Sequence, residues 1–474
     1  MKLSTLLNSI AAATLASALP AIAADKAPAL PKDLPPYGAT NPVSAPAVRQ
    51  LKLDNGLEVW LAPLPGFPKV AFSVAVRGGY VLDPGNLPGM SDLLADVVSE
   101  GTKTHSARQI AEQFQAAGGD LTATATADSI VLATSVLNDK AIPALNAIGD
   151  VMQNAVFPDQ EVEIAKNNAA SSLQASEAEP DFLARRALFR SLFGSHPYAV
   201  TSPTRESIAN TSAADLRSEY ARRFRPDRTL LVAVGDFDPA TLTSAIRQDF
   251  GSWKASEAAP LAAMSKPAAS VARALVYVPR DNSVQTALYI GALAPNRSDP
   301  DYAAARVAIA IYGGMFGSRL ITNIREDKGY TYSPFAQLAP LRETGVLVTR
   351  ADVRNAVTGA SYNEISYELN RMATTSPEQQ ELDSAKRYLN GSLALQLQSR
   401  EAVARLLATL WISALPPEEI GAQSRKIEGV TLDDVKQVGR KYFPAARMTV
   451  VAIGEENVIR NELAPFGFEF KKAD

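Results

Sequence analysis

The sequence predicts an α+β chain of two homologous domains, each a mainly antiparallel sheet with helices packed on it. Three observations carry this. The chain matches itself: TSAADLRSEYARRFRPDRTLLVAVGD (211–236) returns as GVTLDDVKQVGRKYFPAARMTVVAIGE (429–455), with Asp215 on Asp434, Phe224 on Phe443 and Gly235 on Gly454 at one offset of 219 residues. Each copy reads as a helix, an aromatic, a turn, a buried strand and a glycine, and so long a period fits a duplicated domain rather than a solenoid. VAFSVAVRGG (70–79) and QTALYIGALA (285–294) are both strands that lead through a turn into a helix. Strands and helices alternate in both halves, and some neighbouring strands read as hairpins, which favours helices layered on an antiparallel sheet.

Taken in order, residues 1–23 carry Lys2, an uncharged Ala/Leu-rich stretch and Ala21-Ile22-Ala23. This is the pattern of a secretory signal peptide, so the mature protein is expected in the periplasm. No later run offers the roughly 18 apolar residues of a membrane span. Residues 24–48 are rich in Pro and Ala without helical or strand period and read as an extended arm. The first domain is expected over 49–255, an Ala/Ser/Pro-rich linker over 256–273 and the second domain over 274–474. The 474 residues, 46% hydrophobic and 20% charged, suffice for two or three domain cores. A net charge of −3 without Lys/Arg runs argues against nucleic-acid partners, and zero cysteines rule out disulfides and thiolate metal ligands.

Two helices in the first half are explicit. Ser106 with Gln109 forms a capping box, Ile110, Phe114 and Ala117 its apolar face, and Gly118-Gly119 its end. In GMSDLLADVVSEGT (89–102), Met90, Leu93, Leu94, Val97 and Val98 form the stripe of an amphipathic helix. Its other side presents Asp92, Ala95 and Asp96. Two carboxylates one turn apart fall short of the six or more oxygens that Ca2+ or Mg2+ usually takes, so this side reads as a solvated acidic face with no metal. His105 and His196, the only two histidines, lack i, i+4 spacing to another His and read as structural.

NGLEVWLAP (55–63), RGGYVLDP, SEGT, AAGGDLTATATADS, SHPYAV and YARRFRPDRTLLVAVGDFD, followed by YGGMFGSRLITNIREDKGYTYS, occur in an order that resembles the pitrilysin/insulinase family of zinc peptidases. The resemblance runs from about Leu51 to the C-terminus. It implies two homologous α+β domains per chain and a peptide-degrading chamber closed by two such chains or by one fused chain. It also places the family's inverted zinc motif, HxxEH, on the helix before Gly101-Thr102. There the first His falls on Asp92, the catalytic Glu on Ala95, the second His on Asp96 and the distal Glu ligand on Ser172, so all four are replaced. A catalytic zinc needs about three protein ligands and a nearby base, and Ala95 cannot be that base.

The resemblance assigns a second role to IREDKGYTYS, where Arg325 and Tyr332 stand seven residues apart. In active members this pair grips the substrate backbone and steadies the tetrahedral intermediate. A guanidinium and a phenol suit that task without a metal. Tyr330 is the competing phenol and ranks second. Gly313, Gly314 and Gly317 precede the same helix and read as a loop open to substrate backbone, or as a plain turn. The expected function is the non-catalytic subunit of a periplasmic heterodimeric zinc metalloendopeptidase. Such a chain is inactive alone and binds no cofactor, the zinc sitting in an HxxEH-bearing partner, with peptides as substrates. The alternative is a peptide-binding or scaffold protein of the same fold with no part in proteolysis.

Overall fold

The computed structural model describes residues 43–255, 264–268 and 274–473. The expected signal peptide, most of the arm and most of the linker lie outside these residues. Of the arm, Ala45 and Val48 are described and pack against a core cluster.

Two six-stranded sheets follow one plan. The first contains β1 (Arg49–Lys52), β2 (Glu58–Pro63), β3 (Lys69–Arg77), β4 (Thr122–Ala125), β5 (Ser129–Leu137) and β6 (Thr229–Gly235), in the order β1-β2-β6-β3-β5-β4. The second contains β7 (Ala274–Pro279), β8 (Gln285–Ala294), β9 (Phe335–Pro340), β10 (Gly345–Arg354), β11 (Thr449–Gly454) and β12 (Glu469–Lys472), in the order β12-β7-β11-β8-β10-β9. Five positions correspond between the sheets, with β6 matching β11 as the sequence repeat requires. The sixth does not: β1 precedes its sheet and pairs antiparallel with β2, whereas β12 follows its sheet and pairs parallel with β7. The β2–β6, β7–β11 and β7–β12 pairs are parallel and the other pairs antiparallel, so both sheets are mixed but mainly antiparallel.

β3 reads KVAFSVAVR with every interior residue buried, because both faces are covered. Val70, Phe72, Val74 and Val76 face the first half's helices, among them α1 (Met90–Val97), α2 (Ala107–Ala116) and α3 (Ala141–Asn154). Ala71 and Ala75 face the helix Arg400–Ile412, which comes from the second half, through Leu407 and Trp411. The exchange is reciprocal. Of the next two helices, α4 (Asp159–Glu177) and α5 (Pro180–Phe193), the latter lays Ala184, Leu188 and Leu192 on Val276, Tyr289 and Val451 of the second sheet. Each buried Leu contributes about 1.5–3 kcal/mol, so the halves share one continuous packing.

Polar contacts join the halves as well. Asp128 accepts from the Tyr198 hydroxyl at 2.8 Å and from the Arg342 N–H at 2.9 Å, and the Tyr198 oxygen accepts from the Glu343 N–H at 3.1 Å. The segment Tyr302–Asp327 is long and apolar enough to cross a membrane by composition, which the sequence reading did not anticipate. Here its apolar window is 67% buried, as in a core helix.

Candidate functional site

Helix α1 starts at Gly89, whose φ of 78° lies in the left-handed region and whose missing Cβ makes room for Pro203 N, 2.2 Å from where that atom would sit. Met90, Leu93, Leu94, Val97 and Val98 are all buried, as their spacing predicted. On the other side Asp92 is half-buried, Ala95 buried, and Asp96 exposed; Ser172, on α4, is also exposed. α4 packs directly on α1.

Asp92 is already engaged: the Tyr80 hydroxyl donates to its Oδ1 at 2.6 Å. Burial raises the Asp92 carboxyl to about 6; the Tyr80 hydrogen bond opposes this, while Asp96 and Asp83 add to it. Burial and the Asp92 charge push the Tyr80 phenol up. With one carboxylate oxygen bonded to Tyr80, no imidazole and no base at Ala95, these residues do not fit a catalytic zinc.

The loop beneath α1 rests on Arg223, which is 0% exposed. It donates to Glu219 Oε2 at 2.7 Å, Asp83 Oδ1 at 3.0 Å, Ser91 Oγ at 2.7 Å and the Gly79 carbonyl at 3.2 Å. Ser91 in turn donates to Asp83 at 2.5 Å. Burial raises the Asp83 carboxyl, with Arg223 opposing. The network fixes the RGGYVLDP loop, and with it Tyr80, against α1.

Asp92 gives a pH-dependent expectation. Its carboxyl titrates near 3.8 when unfolded and about 6 when folded, so between these values the folded chain binds more protons. Stability therefore falls as pH rises through that window. Asp92→Asn removes the titration and keeps an acceptor for Tyr80. It is expected to raise stability at pH 7 by about 1–2 kcal/mol, allowing for partial solvent contact, and to change little at pH 4. Urea midpoints at the two pH values check this.

The second cluster forms where the Tyr302–Asp327 segment breaks its regular winding. It runs as α-helix over Tyr302–Ile309 and as a π-turn over Ala310–Gly314, opens at Met315–Ser318, and closes with a helical turn and a π-turn over Thr322–Asp327. π-turns inside helices recur at functional sites. Arg319, buried, pairs bidentately with Glu381 at 2.6 and 2.7 Å and anchors the restart. Gly329, at φ 63°, ends the helix, and the Thr331 hydroxyl donates to the Asp352 carbonyl at 2.7 Å. Tyr332, between these anchors and β9, projects outward and is 79% exposed.

Arg325 and Tyr332 are brought together. The guanidinium carbon lies 4.7 Å from the Tyr332 ring centroid and 4.9 Å from that of Phe316, which is 69% exposed. Arg325 pairs through Nε with Glu326 at 3.1 Å, and its terminal nitrogens have no partner among the described residues. The two aromatics hold a permanently charged, forked donor at the surface, where it can meet a carbonyl or carboxylate.

The expected glycine loop needs correction. Gly313 and Gly314 lie inside the π-turn, and Gly313 is buried with β9 so close that a Cβ would stand 2.8 Å from the Ala336 Cβ. Only Gly317 belongs to the open loop, with nothing within 4 Å of its Cβ position. Tyr330 is half-buried, less available than Tyr332. Sequence reasoning missed Phe316, Tyr80 and Arg223; an aromatic enclosed by glycines in GGMFGS was a signal for the first.

Both histidines make structural bonds. His105 Nδ1 lies 2.9 Å from Asp150. Although burial opposes it, hydrogen bonds from Thr102, His105, Asn154 and Thr104 hold the Asp150 carboxyl below its usual range. His196 Nδ1 accepts from the Tyr198 N–H at 3.2 Å and its Nε2 lies 3.0 Å from the Ser265 carbonyl. This sets the turn that delivers Tyr198 to Asp128.

Comparison with known proteins gives the following. Residues 59–202 match the family model described as insulinase (peptidase family M16), and residues 210–389 the model described as the peptidase M16 inactive domain. An uncharacterized zinc protease of Mycobacterium tuberculosis (strain ATCC 25618 / H37Rv) is 26% identical over 415 residues, spanning 86% of this chain and 93% of the relative. The crystal structure of a peptidase M16 inactive domain from Pseudomonas fluorescens superposes with a TM-score of 0.80 at 26% identity, covering 86% of this chain and 98% of that one. A protease from Helicobacter pylori superposes with a TM-score of 0.81 at 18% identity, covering 87% and 100%.

Proposed function

The chain belongs to the insulinase (peptidase M16) family, and from that premise we propose that it is the non-catalytic subunit of a periplasmic heterodimeric zinc metalloendopeptidase, supplying Arg325 and Tyr332 to a partner's active site. One observation carries the proposal: the metal-binding face has lost every ligand and its base, while the Arg325–Tyr332 pair is assembled, with Arg325 half-buried and Tyr332 exposed. Random decay of a discarded peptidase has no reason to spare one and erase the other.

In this reading the partner brings the metal, the water and the base. Arg325 holds a carbonyl or terminal carboxylate of the peptide through its free nitrogens, and the Tyr332 hydroxyl donates to the oxygen that gains charge as the carbonyl becomes tetrahedral. Extended peptides find unpaired backbone on the free edges at β4 and β9, where pairing tolerates many side chains.

The purified chain is expected to retain less than a tenth of an equivalent of zinc after dialysis, and to leave a fluorogenic peptide uncut. Adding an HxxEH-bearing homologue should produce a complex on size exclusion and peptide cleavage. Stoichiometric zinc with cleavage by the chain alone would overturn the proposal, and recovery from cells only with an unrelated assembly would favour a scaffold role.

A further inference from the structure

The helix Arg400–Ile412 does not cover the back of the first sheet evenly. Over Trp60, Leu230 and Val232 it packs with Leu407 and Trp411, large against large. Towards the β5–β4 side the pairing becomes small against small: Ser73, Ala133 and Thr124 face Ala404 and Ala408. The result is a cavity of about 580 Å3, closed at one end by the 340–342 turn of the second half. Protein interiors seldom leave such space, and it lies in the size range of small-molecule sites. Neither Arg325 nor Tyr332 lines it, so it is distinct from that pair, although Thr122 and Thr124 of β4 and Pro340 of β9 belong to its walls.

Its unmet hydrogen-bonding groups can all be met by an acceptor. The Ser73 hydroxyl is 2% exposed, shares its face of β3 with Ala71 and Ala75, and has no partner among the described residues. Arg297 rests over Tyr302 at 5.8 Å, and its buried Nε also lacks a partner. Arg405, on the covering helix, makes no ion pair among the described residues and is exposed at the rim. The rim's acids are mostly engaged: Asp128 by Tyr198 and Arg342, and Glu401 by Ser135 at 2.6 Å and Ser399 at 2.8 Å. Asp120 is exposed and solvated. Unmet donors call for an acceptor, and two guanidinium groups call for a negative one. The walls, including Val131, Leu341 and Ile412, call for an apolar body.

We propose that this cavity binds a small molecule with an apolar body ending in a carboxylate, seated between the first sheet and the helix Arg400–Ile412. A medium-chain fatty acid and the C-terminal end of a short apolar peptide share that chemistry. Because the cavity is walled by both halves, an occupant braces one against the other, and binding is visible as stability without any peptidase assay.

The test is calorimetry and thermal unfolding of the isolated chain with decanoate, decanamide, N-acetyl-Leu-Phe and its C-terminal amide. Saturable one-to-one binding of either carboxylate, at least tenfold tighter than its amide, with a rise in Tm, supports the proposal and identifies the source. Arg405→Gln, a surface change that leaves the core intact, should weaken the carboxylate at least tenfold and spare the amide. Ala408→Trp, which fills the cavity, should abolish both. No saturable binding of either carboxylate to the wild-type chain, or carboxylate binding indifferent to Arg405→Gln, overturns it.

Discussion

Arg325→Ala, in complex with an HxxEH-bearing homologue, is expected to lower kcat/KM about 100- to 1,000-fold, the order of loss when one preorganised, charged donor to the reacting peptide is removed. The side chain is confined between Tyr332 at 4.7 Å and Phe316 at 4.9 Å, so its charge is held in place before substrate arrives. Complex formation and Tm should change little, because the site is at the surface and its anchors, Arg319–Glu381 and Thr331–Asp352, are separate. Tyr332→Phe keeps the ring that stacks and deletes only the hydroxyl, so a fall in kcat there isolates hydrogen bonding from packing. Arg325→Lys keeps the charge but loses the planar fork and should recover little. Unchanged turnover in Arg325→Ala would remove the residue from the mechanism.

The largest expected effect on stability is elsewhere. Arg223→Met should cost about 3–5 kcal/mol, because it leaves the Asp83 carboxylate buried beside no cation and Glu219 paired with Arg222 alone. Asp83 is 2% exposed and Glu219 10% exposed at their side chains. Combining Arg223→Met with Asp83→Asn, and with Glu219→Gln in a third protein that also carries Arg222→Gln, should recover most of the loss, since no uncompensated charge then remains. Urea unfolding of the three proteins checks this. A loss below about 1 kcal/mol for Arg223→Met would mean that water reaches the network, contrary to its 0% exposure.

Much of the fold was legible because it is written in local spacing. The stripe Met90–Val98 and the Ser106–Gln109 box lie within one helix each, and both appear as read, the box with its two reciprocal bonds. The 219-residue repeat was enough to predict two like sheets, yet not the unlike sixth strands, since β1 and β12 lie outside the repeated segment. The exchange of α5 and the helix Arg400–Ile412 was invisible. An apolar stripe states that a face is buried, not which sheet buries it.

The site divides in the same way. Arg325 and Tyr332 were found through the resemblance to the family, and the fold brings them into contact. Phe316 joins them only because the helix opens at Met315–Ser318, a break that no periodicity announces. Asp92 read as a solvated carboxylate because its partner, Tyr80, comes from a preceding loop whose course depends on Arg223. Gly313 read as part of a substrate loop or a turn and is a packing residue, since the approach of Ala336 depends on tertiary structure.

The central claim is that this chain works in trans. The most direct measurement titrates a fixed amount of the HxxEH-bearing subunit with the wild-type chain or with the Arg325→Ala/Tyr332→Phe double variant, following peptide cleavage and complex formation together. The expected result is cleavage that rises to a plateau at one-to-one with the wild type, and the same complex with almost no cleavage with the double variant. Equal cleavage with both proteins, or full cleavage before either is added, would contradict it.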